Sequence, residues 1–465
     1  MNNQAISEAP TEHDDATGAS IEAGAFGSFT GGVVLTFATR LLMLLGGIGS
    51  SVIVARWLGP EGLGALAVLN ATIALALQIG IAGLPSANTY FIAKDRRSLG
   101  PVWTNSIVFA LAAGGLLAVG VVLLAEVQPA LFGGITTNLL AIAALSIPFQ
   151  MLTLLGLNVL LAMGRIGQLN LIDSMSPALA LVNAIVALII LRSKLTTLVS
   201  FNTAAAIVLS LSLVWVIARL FARQKERQAC RPDFPLLKKM LAYGVKFYVS
   251  ILAGVVIFRV DLLFVNHFRG SGEAGVYAVA AQVSFLLMML PGVIAMLLFP
   301  RVASYQDPRG EFAIQVTRHA SFVMLIMCLA AAGGSFALPL IYGARFADAT
   351  IQLLILLPGI YLVGIESVLV QHFTGTGLPA AIPVFWLITL AINLGLNLVL
   401  VPVFGARGAA ATSSLSYTLI FVLVAVYFCM KTGRRPAEIF LLRHGELRDL
   451  LARLRFAAAP TKTPE

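Results

Sequence analysis

Long apolar runs separated by short polar segments dominate this chain of 465 residues. The runs are rich in Leu, Ala, Val and Gly without strict alternation, and most are about 20 to 25 residues long, as in membrane-spanning helices rather than β-barrel strands. They predict twelve spans, at residues 30–54, 62–84, 102–125, 137–161, 169–191, 197–220, 240–265, 275–299, 315–340, 350–372, 380–402 and 408–430. We therefore expect an all-α polytopic membrane protein.

Composition supports this prediction and gives the spans an orientation. The chain is 59% hydrophobic and only 11% charged, whereas soluble proteins carry roughly a quarter charged residues. With the N-terminus inside, 22 of the 31 Lys and Arg residues fall in inner connections and the C-terminal tail, and 6 fall in outer connections. The positive-inside rule therefore predicts that both termini are cytoplasmic. The net charge of +10 then faces anionic lipid, and no nucleic-acid partner is needed to explain it.

The charged segments divide the chain into five parts. Residues 1–26 are acidic and predict a disordered tail, and residues 222–239 form a basic cytoplasmic linker between two groups of six spans. Residues 27–221 and 240–431 are then the two six-helix lobes. Residues 432–465 form a basic tail whose apolar positions share one helical face, as in a helix on the inner leaflet.

An internal repeat supports the two lobes. The segment from Arg56 to Ala71 aligns without a gap with the segment from His267 to Gln282 at an offset of 211 residues. Gly59 then matches Gly270, and Gly64 matches Gly275. An even number of spans per half gives both lobes the same orientation, which predicts pseudo-twofold symmetry about the membrane normal and a binding site between the lobes.

Charged residues inside spans are candidates for a functional site, because they are costly in lipid. Five are candidate substrate-binding residues: Arg40, Lys246, Arg259, Asp261 and Glu366. Arg and Lys provide charge-assisted hydrogen bonds for an anionic head group. The alternative, structural salt bridges between helices, stays open for each of them. Residues at i and i+2 of a helix point to different sides, so Arg259 and Asp261 are not expected to face one another.

Three stretches resemble successive signatures of polysaccharide or O-antigen flippases, a family of the multidrug/oligosaccharidyl-lipid/polysaccharide exporter superfamily. They read "VIVARWLGPEGLGALAVLNA", "FRGSGEAGVYAVAAQVSFLLMMLPGVIAMLLFPRVASY" and "NLGLNLVLVPVFGARGAAATSSLSYT". In the third, five residues fall where the family pattern expects them: Asn393, Asn397, Pro402, Gly405 and Gly408.

The resemblance implies a two-lobed transporter of the bacterial inner membrane. Its substrate would be an undecaprenyl-pyrophosphate-linked oligosaccharide, moved by alternating access from the cytoplasmic to the periplasmic leaflet for lipopolysaccharide, O-antigen or exopolysaccharide synthesis. The implied partners are this substrate, membrane lipids and other polysaccharide assembly proteins.

Two other functions remain open: a cation-coupled multidrug exporter of the same superfamily, and a membrane glycan polymerase or ligase. The second is disfavoured because the outer connections are short and no nucleophile–base constellation appears in the sequence. The three cysteines and five histidines lack the spacing of a metal site. We therefore expect neither enzymatic activity nor a metal or cofactor.

Overall fold

The computed structural model describes residues 13–222, 230–295, 298, 310–376 and 379–440, with side chains from residue 42 onward apart from those of 246, 247 and 376. The described part contains helices and no strand. The α-helices are α1 (His13–Ile81), α2 (Leu84–Lys94), α3 (Leu99–Val127), α4 (Thr137–Ala144), α5 (Ile147–Ala162), α6 (Ile166–Ala184), α7 (Leu195–Ala222), α8 (Phe234–Arg269), α9 (Ser271–Leu287), α10 (Glu311–Gly334), α11 (Leu338–Tyr342), α12 (Asp348–Leu369), α13 (Gln371–Thr376) and α14 (Ala381–Thr432).

Ten helices in the described part are long and apolar enough to cross a membrane, two fewer than the twelve predicted. The difference lies in α1 and α14, which are each broken at a glycine in the left-handed region: Gly59 with φ 70° and Gly405 with φ 60°. At about 1.5 Å per residue, each of these helices is long enough for two spans. The number twelve stays a prediction.

Four of the five predicted segments fall partly outside the described residues, including the lobe 240–431, which lacks 296–297, 299–309 and 377–378. Helix α1 begins at His13, inside the acidic tail predicted for residues 1–26. The basic linker lies between the end of α7 at Ala222 and the start of α8 at Phe234, and its residues 223–229 lie outside the described part. The same is true of residues 441–465 in the predicted amphipathic tail. The lobe boundaries at 27–221 and 240–431 therefore stay predictions.

One large hydrophobic core is built mainly from the N-terminal half of the sequence and another mainly from the C-terminal half, and α8 contributes to both. Met240 and Tyr248, in the first half of α8, pack in the core of the N-terminal lobe. Ile257 and Val265, in its second half, pack in the core of the C-terminal lobe. The connection between α7 and α8 therefore does not separate the two cores.

The lobes meet closely at the face that carries the break at Gly59, which the charge distribution predicts to be the outer face. A Cβ atom on Gly64 would collide with the carbonyl oxygen of Ser271, and one on Gly275 would collide with that of Pro60. Both glycines and both carbonyls are related by the offset of 211 residues. The two contacts are therefore copies of each other, and only glycine allows the helices to approach so closely.

Candidate functional site

The five charged candidates are not equally well described. Arg40 lies in α1 and Lys246 lies in α8, but the side chains of both are outside the described part. Their predicted role in binding an anionic head group therefore stays a prediction. Arg259, Asp261 and Glu366 are described in full.

Asp261 is the centre of a buried polar cluster in the C-terminal lobe. Its side chain is 2% exposed. Asn397 Nδ2 donates to Asp261 Oδ1 at 2.7 Å, and the hydroxyls of Tyr277, at 3.2 Å, and Ser413 donate to Oδ2. The carboxylate is thus held by three neutral donors, which offset part of the cost of taking it out of water.

A second layer of amides and hydroxyls holds these donors in place. Asn397 Nδ2 also lies 3.1 Å from both the backbone oxygen and Oδ1 of Asn393. Asn393 in turn donates to Ser416 Oγ at 3.1 Å. Asn393 and Asn397 stand one turn apart on the first half of α14, and Ser413 and Ser416 stand on its second half, after the break at Gly405. The break therefore brings two segments of one helix to the same carboxylate.

Arg259 lies on the same helix as Asp261 and shares Tyr417 with it as an electrostatic neighbour, but it is not part of the hydrogen-bonded cluster. Its side chain is exposed, and its guanidinium carbon lies 5.5 Å from the centre of the Phe285 ring. Ten residues separate it from the end of α8 at Arg269, which puts it about 15 Å from that end. Among the described side chains, no ion pair joins Arg259 to Asp261.

Glu366 is a second buried carboxyl in the C-terminal lobe, on α12. It is 2% exposed, and its Oε1 has no hydrogen-bond partner among the described residues. An unpartnered buried carboxylate is expensive in an apolar environment. Glu366 therefore differs from Asp261, whose two oxygens both accept hydrogen bonds.

The Asp261 cluster is rich in oxygen atoms. Besides the carboxylate, it contains the hydroxyls of Tyr277 and Ser413 and the buried Oδ1 of Asn397, which accepts no hydrogen bond within the described part. Oxygen ligands of this kind suit a proton or a hard cation. No group of three or more His, Cys, Asp or Glu side chains occurs in the part of the chain described here, so the cluster resembles neither a zinc nor an iron site.

The repeat places a neutral cavity in the N-terminal lobe where the C-terminal lobe has its charged cluster. The cavity of about 50 Å³ is lined in part by Asn70, Ser146, Gln150, Asn202 and Thr203. Asn202 is the counterpart of Ser413 at the offset of 211, whereas the counterpart of Asp261 is Ser50. The two lobes therefore share polar positions at similar depth but differ in charge.

Sequence analysis did not identify the partners of Asp261. Tyr277 and Ser413 are common residue types in apolar spans and give no signal alone. Asn393 and Asn397 did give a signal, because two amides at i and i+4 in an apolar run face the same side of a helix. Their position in the third signature stretch pointed to the family but not to Asp261.

Comparison with known proteins supports the family resemblance. The family model described as "Polysaccharide biosynthesis protein" matches residues 29–306, more than half of the chain. A curated relative is the "Probable low-salt glycan biosynthesis flippase Agl15" of Haloferax volcanii, which is 22% identical over 222 residues. This match covers 46% of the chain and 46% of that protein, so the chain spans about half the length of this relative.

Solved transporter structures share the fold. A multidrug resistance MATE family transporter of the MOP superfamily in an inward-facing conformation superposes with a TM-score of 0.72 and 15% identity, over 86% of this chain and 98% of that chain. The lipid II flippase MurJ in an inward closed conformation gives a TM-score of 0.71 and 15% identity, over 93% and 94%. The predicted all-helical, two-lobed fold is thereby confirmed.

Proposed function

Because the chain belongs to the polysaccharide biosynthesis protein family, we propose that it is a flippase that moves a lipid-linked glycan across its membrane. The observation that carries the proposal is Arg259. A guanidinium at membrane depth is costly unless it faces water or an anion, and Arg259 is exposed while Asp261 is occupied by neutral donors. Arg259, which forms no ion pair among the described side chains, would bind an anionic substrate group.

The proposed substrate is an undecaprenyl-pyrophosphate-linked oligosaccharide. A pyrophosphate must exchange water for fixed donors when it enters a cavity, and Arg and Lys side chains supply them. Arg40 and Lys246 would serve this purpose together with Arg259. The isoprenoid tail would stay in the bilayer, because withdrawing it costs about 0.8 kcal/mol for each CH₂ group.

Transport requires movement of the lobes but no change in a covalent bond. We infer that the lobes rock about a central site, so that the head group enters from the cytoplasmic leaflet and leaves at the periplasmic leaflet. Asp261 and Glu366 would change their protonation or bind a cation during this cycle. No catalytic residue is required by this mechanism.

The proposed location is the bacterial inner membrane, with both termini in the cytoplasm. The excess of Lys and Arg on one side of the spans supports this orientation. Lipopolysaccharide, O-antigen and exopolysaccharide pathways all require such a step, and other assembly proteins of the same pathway would be its partners.

Deletion of the gene tests the proposal. We expect a lipid-linked oligosaccharide to accumulate in the cytoplasmic leaflet, and its chemical analysis would identify the glycan. The wild-type gene should restore export, and Arg259→Ala should not, at equal protein level. Arg407→Ala is the matched control, because this exposed arginine pairs with Asp348 in its own lobe, at 3.2 Å.

The second candidate function is multidrug export, which the likeness to the MATE fold and the two buried carboxyls favour. Deletion would then sensitise cells to cationic drugs and leave lipid-linked glycans at their normal level. This result would replace the flippase proposal.

A further inference from the structure

Several polar side chains toward the predicted outer face cross from one lobe to the other. The hydroxyls of Ser51 and Tyr342 lie 3.1 Å apart, and Asn266 Nδ2 donates to the carbonyl oxygen of Leu131 at 3.5 Å.

Arg56, in α1, donates from Nη2 to the carbonyl oxygen of Leu340 at 2.6 Å and from Nε to that of Ile341 at 2.8 Å. His267, near the end of α8, contacts the carbonyl oxygen of Ala130 through Nδ1 at 2.8 Å. Each lobe thus reaches a backbone carbonyl of the other lobe.

These two contacts are related by the same internal repeat. Arg56 and His267 are 211 residues apart, and so are Ala130 and Ile341. The first side chain of each pair belongs to the first helix of its lobe, and the carbonyl belongs to a short helix in the connection between the third and fourth predicted spans of the other lobe. The contacts are therefore reciprocal under the pseudo-twofold axis.

The position of the acceptor carbonyls at helix ends explains why Arg56 and His267 donate to them. Leu340 and Ile341 lie in α11, and Ala130 lies in the 3₁₀-helix Pro129–Phe132. The last carbonyls of a helix have no partner within it, and side chains of Arg or His near a helix C-terminus interact favourably with them. Each lobe thus completes the hydrogen bonds of a helix end in the other lobe.

We propose that Arg56 and His267 form the outer gate of the transport cycle, as two equivalent latches that hold the lobes together on either side of the Gly64–Gly275 contact. This proposal rests on the proposed transport function. Release of a glycan on the outer face requires both latches to break. Arg56 is the stronger latch, because it is charged and binds two carbonyls where His267 binds one.

Contacts of another kind occur toward the face predicted to be inner. In the described part, Tyr90 stacks on Tyr243 with ring centres 4.4 Å apart, and Tyr248 donates to the carbonyl oxygen of Gln78. Both contacts join the N-terminal lobe to the first half of α8. These contacts are not related by the repeat, whereas the Arg56 and His267 contacts on the outer face are equivalent to each other.

The distance between the lobes at the outer face tests this gate without a transport assay. Spin labels would be placed at Lys194→Cys and Ala347→Cys, which are exposed outer positions of the two lobes. The three native cysteines would be replaced by Ala, and the protein would be reconstituted in lipid nanodiscs for pulsed electron paramagnetic resonance. We expect Arg56→Ala with His267→Ala to add a longer-distance population, severalfold larger than in the parent, and Arg56→Ala alone to have the larger single effect.

Arg269→Ala is the matched control. Arg269 also donates to a backbone carbonyl, that of Val403 at 2.8 Å, but within its own lobe. The Arg269→Ala variant should leave the distribution of distances between the spin labels unchanged. An unchanged distribution in the double variant, or equal lengthening in the control, would overturn the proposed gate.

An exchange of the two side chains provides a second, independent test. Since the two positions are equivalent, Arg56→His combined with His267→Arg should keep the parent distribution, because the new arginine can reach the carbonyls of Pro129 and Ala130. A longer distance in this exchanged variant would contradict the equivalence of the two contacts. This test remains valid even if the double alanine variant does not fold. If the double alanine variant lengthens the distance between the spin labels but the wild-type protein moves no lipid-linked glycan, the proposed gate would stand and the proposed flippase function would fail.

Discussion

Asn397 and Asp261 are 136 residues apart in the sequence and lie 2.7 Å apart, amide nitrogen to carboxylate oxygen, in the interior of the C-terminal lobe. The bond connects the first half of α14 to the second half of α8. A buried carboxylate needs such partners, because an apolar environment provides none. The stability of this lobe therefore depends on a polar contact as well as on apolar packing.

Asn397→Leu should destabilise the protein. The substitution leaves Asp261 Oδ1 without its amide donor, and an unsatisfied buried group costs about 1–3 kcal/mol. Thermal unfolding in detergent would measure the loss. Asn158→Leu is the control, since Asn158 donates to the carbonyl of Leu154 in the preceding turn and makes no other side-chain hydrogen bond among the described residues. If both variants unfold at the same temperature, the bond to Asp261 contributes little.

Arg40→Ala and Lys246→Ala should each lower glycan export while the protein remains folded and inserted. Each removes a cation proposed to attract the pyrophosphate; one charge-assisted hydrogen bond, about 1.5–3 kcal/mol, corresponds to roughly tenfold or more in affinity. Arg40→Lys and Lys246→Arg should be milder. Surface glycan and protein level would be measured together.

Arg219→Ala provides the comparison for these two variants. Its guanidinium lies 3.6 Å from the Trp215 ring at the end of α7, away from the proposed site. The Arg219→Ala variant should export glycan normally. Normal export by both Arg40→Ala and Lys246→Ala would show that these residues are structural, and loss of expression in Arg40→Ala would point to a salt bridge between helices.

Gly64→Ala and Gly275→Ala should each weaken closure of the outer face. The added Cβ atom meets the carbonyl oxygen of Ser271 or Pro60, and a backbone group cannot move aside as a side chain can. We expect a lower unfolding temperature and a longer distance between spin labels on the two lobes. Gly115→Ala is the control, because its Cβ would meet nothing within 4 Å. Equal behaviour of the three variants would contradict close contact at this face.

A cross-link between positions 90 and 243 should block transport. The stacked rings of Tyr90 and Tyr243 join the N-terminal lobe to α8, so Tyr90→Cys with Tyr243→Cys joined by a short bifunctional thiol reagent would hold the predicted inner face closed. Export should fall after cross-linking and recover when a reducible reagent is cleaved. Continued export by fully cross-linked protein would mean that this contact does not need to open.

The native Cys230 tests the orientation. It is exposed and lies in the basic linker, while Cys328 is buried. With Cys328 and Cys429 replaced by Ala, a membrane-impermeant thiol reagent should label Cys230 only after the cells are permeabilised. Lys194→Cys in a Cys230→Ala background should be labelled in intact cells. Labelling of Cys230 in intact cells would reverse the predicted topology.

The sequence predicted the helices well because lipid demands long apolar runs, which are visible without knowledge of tertiary structure. The predicted connections between residues 54 and 62 and between residues 402 and 408 contain Gly59 and Gly405, at which α1 and α14 are broken. Helix α2, Leu84–Lys94, lies beyond the second predicted span, which ends at residue 84.

The site was harder to predict than the fold. A charged residue in an apolar run is conspicuous, so Asp261, Arg259 and Glu366 were identified individually. The identity of a partner is a property of tertiary packing, and the donors to Asp261 come from residues 16 to 152 positions away. The latch formed by Arg56 was missed because an arginine at the end of a span is an ordinary feature of sequence.

Helix α8 contributes residues to both hydrophobic cores, and this determines whether the chain can be cut into two stable fragments. A cut in the connection after Ala222 would separate the two sequence repeats, but it would leave the N-terminal fragment without Met240 and Tyr248, which complete its core. A cut after Arg269 would instead remove Ile257 and Val265 from the other fragment. Neither fragment therefore contains a complete interior, and the two halves are one cooperative folding unit despite their duplicated plan.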